Sequence, residues 1–376
     1  MTVWSKQSFK ALYGVFFLIK LIALLPLSLL RYSPRRARPF AGWSLRICVV
    51  NVLARELFRY NTKTRSTGVA SVESGHRRAK ERFALAKPAE ASLYSGVLTP
   101  GAAQPAAVGG LWFPRPIRQG QGKEISSLRH EKVVIHCPGG AFVLAFGTEE
   151  SGQDIAKVMT QHLKVTKTFL AQYRVSTDSQ TRFPSAIQDL VTFYHYILSL
   201  GVHPDDIILS GDSAAGNLVL GLLRYLENVG SPRLPLPGGA MLWSPWVHVT
   251  ARAGRDYDEC RNSQNDLLVG PLLQWGAEAY LPEWKLESDV LPFISPLHHP
   301  FRTSVPLFIH AGGSEAFFDQ IKDFAQEMGE IKSNRTRFHA TDLAPHNLLM
   351  AYKGLGLDRE MKTAVRDAYD FFALDG

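Results

Sequence analysis

Ser213 is the residue whose surroundings point most directly to chemistry. It lies in LSGDSAAGNLVLGLL (residues 209–223), where a short apolar run leads into apolar residues at helical spacing. A serine at a sharp strand-to-helix turn exposes its hydroxyl at the edge of the sheet and can act as a nucleophile. The turn brings together the residues two before and two after it, here Gly211 and Ala215, so both must be small. A plain strand-to-helix corner would use the same small residues, and the stretch therefore needs partners elsewhere.

A serine nucleophile requires N–H donors for the oxyanion that forms when it attacks a carbonyl group. Gly139 and Gly140 follow the apolar run 132–137 after a single proline. Glycine lets the backbone approach a substrate closely and turn its N–H groups toward it. The two glycines are therefore candidates for an oxyanion hole, although a simple turn after a strand would also contain them.

The nucleophile also needs a base, and an acid that orients the base. Glu315 and Asp319 both follow the apolar run 305–311, and either could be the acid or an ordinary helix-capping residue. His346 lies in a loop before an apolar stretch and is the candidate base. The order nucleophile, acid, histidine is the order expected of an α/β-hydrolase.

The candidates lie at the ends of predicted strands in a chain where strands and helices alternate. Apolar runs and helical spacing predict strands at 132–137, 167–175, 205–210, 238–246 and 305–313, and helices at 151–163, 185–200 and 361–374. This alternation predicts an α/β fold with a mostly parallel central sheet flanked by helices. Active-site residues of such sheets lie at the carboxyl ends of strands. Residues 250–295 break the alternation and suggest an irregular insertion over the sheet edge.

From about residue 109 onward the chain resembles the hormone-sensitive-lipase-like branch of the α/β-hydrolases. The stretches that carry the resemblance are YRV…TRFPSAIQDL (173–190), GDSAAGNL (211–218), LWSPW (242–246) and GGSEAFFD (312–319). With its hydrophobic N-terminus, the sequence looks most like membrane-anchored fungal esterases, which include sterol deacetylases and hydrolases of secondary metabolism. The resemblance implies an α/β-hydrolase fold with a cap built from N-terminal helices. We expect neither a metal nor a cofactor.

The resemblance also implies a role for each candidate residue. The implied nucleophile is Ser213, the acid Glu315 and the base His346, and the implied oxyanion donors are the N–H groups of Gly139, Gly140 and Ala214.

Two positions depart from the family's pattern. Ala215 stands where glycine is usual and adds only one methyl group. Pro138 stands where the family has a histidine that orders the oxyanion loop. Proline lacks an N–H, but the expected donors lie one and two residues later, and its fixed φ angle could replace the lost ordering.

Charge is unevenly distributed along the 376 residues. Residues 1–90 carry 17 Lys or Arg and 4 Asp or Glu, whereas the remainder carries 25 and 30. A nucleic-acid-binding protein usually carries its basic patch on the folded domain, which here is mildly acidic, so we expect no nucleic-acid partner. The basic excess surrounds an apolar segment and favours an anionic membrane surface. Three cysteines are too few and too scattered for a disulfide framework or a metal site, and Cys137 is interpreted as a buried structural thiol.

Residues 11–30 are apolar and about long enough to cross a bilayer as a helix, although Lys20 and Pro26 interrupt them. Because four arginines follow the segment, we expect a retained membrane anchor over residues 1–31, rather than a cleaved signal peptide or a soluble amphipathic helix. The arginines favour a cytosolic catalytic domain, whereas the sequon at Asn334 favours the opposite side. The expected location is therefore membrane-anchored at the endoplasmic reticulum, with the side left open.

The predicted organisation is an anchor (1–31), a basic helical segment that contributes to the cap (32–108) and a catalytic domain (109–376). The predicted function is a serine hydrolase that cleaves carboxylic esters of a lipophilic small molecule through an acyl-enzyme, in fungal secondary metabolism or sterol deacetylation. One alternative uses the same three residues, Ser213, Glu315 and His346, for lactonisation, acyl transfer or cyclisation. Another is a non-catalytic binding protein like the gibberellin-receptor branch, which has lost the catalytic histidine; the presence of His346 argues against it.

Overall fold

The computed structural model describes residues 3–68, 79, 81–117 and 132–373. Its strands are β1 (Phe83–Ala86), β2 (Val108–Phe113), β3 (Val133–Cys137), β4 (Lys167–Gln172), β5 (Ile207–Asp212), β6 (Gly239–Trp243), β7 (Leu307–Gly312) and β8 (Thr336–Thr341). Its helices are α1 (Gln7–Tyr32), α2 (Leu45–Thr64), α3 (Glu149–Val158), α4 (Ser185–Ser199), α5 (Ala214–Val229), α6 (Ala253–Asp258), α7 (Gly270–Tyr280), α8 (Leu291–Ile294), α9 (Phe318–Glu330), α10 (Leu348–Leu355) and α11 (Asp358–Ala373).

The eight strands form one sheet in the order β1-β2-β4-β3-β5-β6-β7-β8. From β4 to β8 every pair of neighbours is parallel, while β2 runs antiparallel to both β1 and β4. All residues of β3, β5 and β7 are buried, which explains their continuous apolar sequences, since helices cover both faces of the sheet. The prediction of a mostly parallel sheet flanked by helices is confirmed.

Three of the eight described strands are absent from the sequence-based prediction: the edge strands β1 and β8, and β2, VGGLWF, whose two glycines interrupt its apolar run. In β8, TRFHAT, only the last residue is fully buried, and in the four-residue β1, FALA, again only the last is. Edge strands are partly solvated and lack the unbroken apolar run that identified the central strands. Because β1 and the first residue of β2 join the sheet, the segment 32–108 is not purely helical, and the expected boundary at residue 109 falls inside β2.

Helix α2 and the insertion 250–295 lie over the carboxyl ends of the strands, where both contribute to the wall of one cavity. The insertion is partly helical and contains α6, α7 and α8. Helix α2 is tied to it by Arg55, whose guanidinium donates hydrogen bonds to the carbonyls of Ser263 and Leu268, each at 2.9 Å. Helix α2, which lies in the predicted basic helical segment, therefore packs against the insertion.

Two N-terminal and surface features bear on the membrane prediction. Within the described part of the chain, α1 is the single helix long and apolar enough to cross a membrane, and a signal sequence has the same properties. The side-chain amide of Asn334 donates to the carbonyls of Phe301 and Met328 at 2.9 and 3.1 Å. The sequon nitrogen is thus engaged in two hydrogen bonds, and glycosylation, which replaces one of its two hydrogens, would break at least one of them.

Candidate active site

Ser213 occupies a strained turn between β5 and α5. Its backbone angles, φ 52° and ψ −120°, lie where residues other than glycine are rare. Two hydrogen bonds hold this conformation: the Ser213 N–H donates to the carbonyl of Trp243, and its own carbonyl accepts from the Trp246 N–H, both at 2.9 Å. Strain of this kind, fixed by the surrounding structure, is typical of a nucleophile presented above a sheet edge.

The residues around the turn explain why alanine is accepted at position 215. A Cβ atom on Gly211 would lie 2.5 Å from the carbonyl oxygen of Ala215, so glycine is required on the strand side. Ala215 is fully buried and its methyl group is accommodated. The departure from the family's pattern therefore leaves the turn intact.

His346 and Glu315 form a buried pair. The Nδ1 atom of His346 lies 2.6 Å from Oε2 of Glu315, and the other carboxylate oxygen accepts the Gly312 N–H at 2.7 Å. The competing candidate, Asp319, has a side chain 60% exposed and pairs with Arg261 on the surface. Of the two acids that the sequence left open, the structure brings Glu315 to the histidine.

His346 lines the same cavity as Ser213, and its second ring nitrogen is free within the described ranges. This atom, Nε2, is buried and has no hydrogen-bond partner among the described residues. An unpartnered imidazole nitrogen on a histidine that shares a cavity with a serine can take the hydroxyl proton once a substrate closes the site, and such contacts are often loose without substrate.

Neighbouring carboxylates make His346 a stronger base. Burial alone would lower the pKa of its imidazole, but the hydrogen bond and negative charge of Glu315, supported by the charges of Asp266 and Asp212, raise that pKa above its ordinary value. Burial also raises the pKa of Glu315, and the hydrogen bond from His346 opposes this shift.

Asp266 is a buried residue of the site that the sequence analysis missed. One carboxylate oxygen accepts a hydrogen bond from the backbone N–H of His346 at 2.8 Å. The other accepts one from the backbone N–H of Ala316, the residue after Glu315, at 3.0 Å. A single side chain thus fixes both the histidine loop and the acid loop. Asp266 comes from the irregular insertion, and no pattern around it in the sequence marks it as different from other polar loop residues.

The pH dependence of the reaction should report these charges. We expect kcat/KM to rise with pH as His346 loses its proton, with an apparent pKa above histidine's ordinary 6.5. Asp266→Asn removes one of the charges that raise this pKa, so its acidic limb should move to lower pH. Asp289→Asn, an exposed site in the same insertion, is the matched control. A folded Asp266→Asn enzyme whose acidic limb matches that of the control would contradict this electrostatic account.

The oxyanion loop differs from the expectation at Gly139. Its N–H donates to Oδ2 of Asp212 at 2.9 Å and is already engaged. The N–H groups of Gly140 and Ala141 have no such bond to any residue in the described ranges. Gly140 has φ 138°, and a Cβ there would lie 2.1 Å from the carbonyl oxygen of Leu144, so only glycine fits. The donors available to a substrate are therefore shifted by one residue along the loop.

Asp212 orders this loop, in a way that the sequence analysis assigned to Pro138. Its Oδ2 atom accepts from Gly139 and also from the side-chain amide of Asn347, the residue after His346. Its Oδ1 atom lies 3.2 Å from Nε2 of the buried His136. His136 thus stands two residues before the position of the family's loop histidine and still lies against the carboxylate that holds the loop.

Asp212→Asn keeps the size of this side chain but removes one of its two strong acceptor oxygens. We expect kcat to fall by about 10–100-fold with KM nearly unchanged, because the oxyanion contact exists only in the transition state. Asp205→Asn, at a side chain 81% exposed just before the same strand, should remain within about twofold of wild type. A loss confined to KM would show that Asp212 serves ground-state binding instead.

The cavity at Ser213 has a volume of about 250 Å³. Apart from Ser213, His346, Asp212, Asn347 and the backbone of the glycine loop, its wall is apolar. The apolar side chains are those of Val50, Ala54, Phe58, Leu144, Phe146, Leu267, Leu268, Leu272, Leu273, Met350 and Ala351. Cys137 is buried beneath the loop, and burial together with the charge of Asp212 raises the pKa of its thiol, which makes it unreactive. No three metal-ligating side chains come together in the residues that the structure describes.

Residues 133–350 match a family model described as alpha/beta hydrolase fold. The chain belongs to this family. Among similar curated proteins, an esterase of Acinetobacter venetianus is 29% identical over 226 residues, which cover 58% of this chain and 70% of the esterase. An acetyl-hydrolase of Streptomyces hygroscopicus is 27% identical over 275 residues, covering 73% and 81% of the two chains.

Solved structures of other α/β-hydrolases share the architecture. An esterase from the bacterial hormone-sensitive lipase family superposes with a TM-score of 0.58 at 20% identity, covering 88% of this chain and 98% of its own. A thermophilic carboxylesterase cloned from a metagenomic library gives 0.59 at 17% identity, covering 86% and 96%. At these identities the likeness establishes the fold. The predicted resemblance to hormone-sensitive-lipase-like α/β-hydrolases is confirmed, and that to membrane-anchored fungal esterases stays a prediction.

Proposed function

We propose that this chain is a serine hydrolase that cleaves carboxylic esters of a lipophilic small molecule through an acyl-enzyme. The observation that carries the proposal is the His346–Glu315 pair, which leaves one imidazole nitrogen without a described partner on a residue that lines the same cavity as Ser213. The similar proteins named esterase and acetyl-hydrolase support ester hydrolysis by this chain.

In the proposed reaction, Nε2 of His346 takes the hydroxyl proton of Ser213 as the serine oxygen attacks the ester carbonyl carbon. Glu315 holds the imidazole in the required tautomer and stabilises its positive charge. The C–O bond to the alcohol then breaks, and His346 returns the proton to the departing alkoxide. A water molecule, activated by the same histidine, attacks the acyl-enzyme and releases the acid.

We propose that the negative oxygen of the tetrahedral intermediate accepts hydrogen bonds from the N–H groups of Gly140, Ala141 and Ala214. The first two have no hydrogen bond to any described residue, and the third belongs to the first turn of α5, whose N–H groups have no intrahelical partner. This assignment replaces Gly139 by Ala141, because Asp212 occupies the Gly139 N–H.

The apolar wall supports a lipophilic substrate. A volume of about 250 Å³ exceeds the roughly 150 Å³ that suffices for benzene, so an extended apolar group fits beside Ser213. An acetylated sterol or secondary metabolite would place such a group there, with α1 as the membrane anchor at the endoplasmic reticulum. These finer assignments rest on the resemblance and on the apolar character of the cavity and of α1.

The proposal is tested by pre-steady-state kinetics with a p-nitrophenyl ester. We expect a burst of p-nitrophenol stoichiometric with the enzyme, followed by steady release of free acid as water attacks the acyl-enzyme. The alternative use in acyl transfer or cyclisation predicts that a dilute alcohol captures the acyl group in preference to water. Absence of any turnover in the folded protein would favour the ligand-binding alternative.

A further inference from the structure

Helix α1 packs against α2 along one side and is exposed on the other. Its less exposed residues recur every three or four positions, at Lys10, Tyr13, Gly14, Phe17, Lys20, Leu21, Leu24, Ser28 and Tyr32. Along this stripe the rings of Tyr13 and Phe17 lie 5.8 and 4.6 Å from the ring of Tyr60 in α2. Lys20 of α1 forms an ion pair with Glu56 of α2.

Helix α2, the partner of α1, is fixed to the catalytic domain on its other side. Its residues Val50, Ala54 and Phe58 line the catalytic cavity, and Arg46 donates to the carbonyl of Gly354 at 2.7 Å. If α1 crossed a bilayer, α2 would have to enter the hydrocarbon with it, together with its charged residues and the adjoining wall of the active site. Charged side chains are costly at that depth, so a spanning arrangement conflicts with this packing.

The outer face of α1 is strongly apolar. Of the sixteen large apolar side chains that are exposed in the described part of the chain, eleven lie on this helix, with Ile22 and Leu30 each 74% exposed. Both ends of the helix are basic, with Lys6 and Lys10 at one end and Arg31, Arg35 and Arg36 at the other, and residues 1–55 contain no Asp or Glu.

We propose that α1 lies in the plane of one membrane leaflet and seats the catalytic domain flat on an anionic lipid surface. An in-plane helix places both ends at the level of the lipid headgroups, which matches its two basic ends, whereas a spanning helix has its basic flank on one side. A second copy of the chain is a poorer occupant of this face, because its own basic ends would meet like charges. One helix, α2, about 10 Å across, then separates the lipid from the cavity, and a lipophilic ester dissolved in the leaflet lies close to the site.

Cysteine labelling of the full chain tests this arrangement. Lys6→Cys and Arg35→Cys, each at an exposed residue, are introduced separately into a Cys260→Ser background, in which the other two cysteines are buried. Each protein is translated with sealed microsomes and treated with a membrane-impermeant maleimide before and after detergent. We expect both positions to show the same accessibility, since both ends lie at one leaflet. If one position is labelled freely and the other only after detergent, α1 spans the membrane and the proposal is wrong.

Lipid as the occupant is tested by flotation of the purified full chain with phosphatidylcholine vesicles, with and without phosphatidylserine. We expect stronger binding with phosphatidylserine, and a loss of at least about tenfold in Ile19→Glu/Ile22→Glu. Leu85→Glu, which changes an exposed leucine on β1, is the control and should bind like wild type. Equal flotation of the double variant and the wild type would overturn the proposal. So would a wild-type protein that does not bind the vesicles and instead forms a dimer that the double substitution dissociates.

Discussion

Replacing Ser213 by alanine is expected to lower kcat for ester hydrolysis by about 10⁴–10⁶-fold while the protein remains folded. In the proposed mechanism the serine oxygen forms the acyl-enzyme, and neither the cavity wall nor the proposed oxyanion donors can replace it. The side chain makes no hydrogen bond to any other residue in the described ranges that its removal would break, so the thermal melt should change little.

The matched control is Ser185→Ala. Ser185 is fully buried in α4, and its hydroxyl likewise has no partner in the described part of the chain. Activity of this variant should stay within about twofold of wild type. A Ser213→Ala enzyme that retains activity within about tenfold of wild type, after contaminating esterase has been excluded, would remove Ser213 from the mechanism.

Glu315→Gln is expected to lower kcat by about 10³–10⁴-fold, because the amide no longer holds the His346 imidazole in the tautomer that leaves Nε2 free to accept a proton. The 2.6 Å contact between Nδ1 and the carboxylate is the only one that fixes this nitrogen within the described residues. The buried site also loses the negative charge that stabilises the imidazolium.

Asp319→Asn separates this effect from a general loss of acidic charge near the site. Asp319 lies four residues further along, is exposed, and pairs with Arg261 at the surface. Its variant should keep kcat within about twofold of wild type, since exposed ion pairs contribute little. Steady-state kinetics on a soluble ester compares the two, and the reverse ranking would reassign the acid.

The central strands of the sheet could be predicted from the sequence because their surroundings are uniformly apolar. The strands around Ser213 are buried on both faces, so their unbroken apolar runs identified them, and small residues marked the turn. Glu315 and His346 were located by their order along the chain and by family resemblance. Neither the pattern nor the spacing distinguished Glu315 from Asp319; that required the distance to the histidine.

The residues that the sequence left unassigned act through long-range contacts. Asp266 reaches His346 across eighty positions of sequence, and Asp212 reaches Asn347 across 135. Nothing local to either aspartate indicates its partner. The proposed exchange of Gly139 for Ala141 as an oxyanion donor depends in the same way on which N–H group Asp212 occupies. The packing of α1 on α2 could not be read from hydropathy, which reports the same value for a spanning and an in-plane helix.

The nucleophilic character of Ser213 is the property on which the proposed function depends most directly, and active-site labelling with a serine-reactive fluorophosphonate measures it. The folded wild-type protein is predicted to take up one label per chain, on the peptide that contains Ser213, and Ser213→Ala is predicted to take up none. Prior incubation with an ester that accumulates as acyl-enzyme should slow the labelling. A folded wild-type protein that remains unlabelled, or a label found on a different serine, would contradict the account.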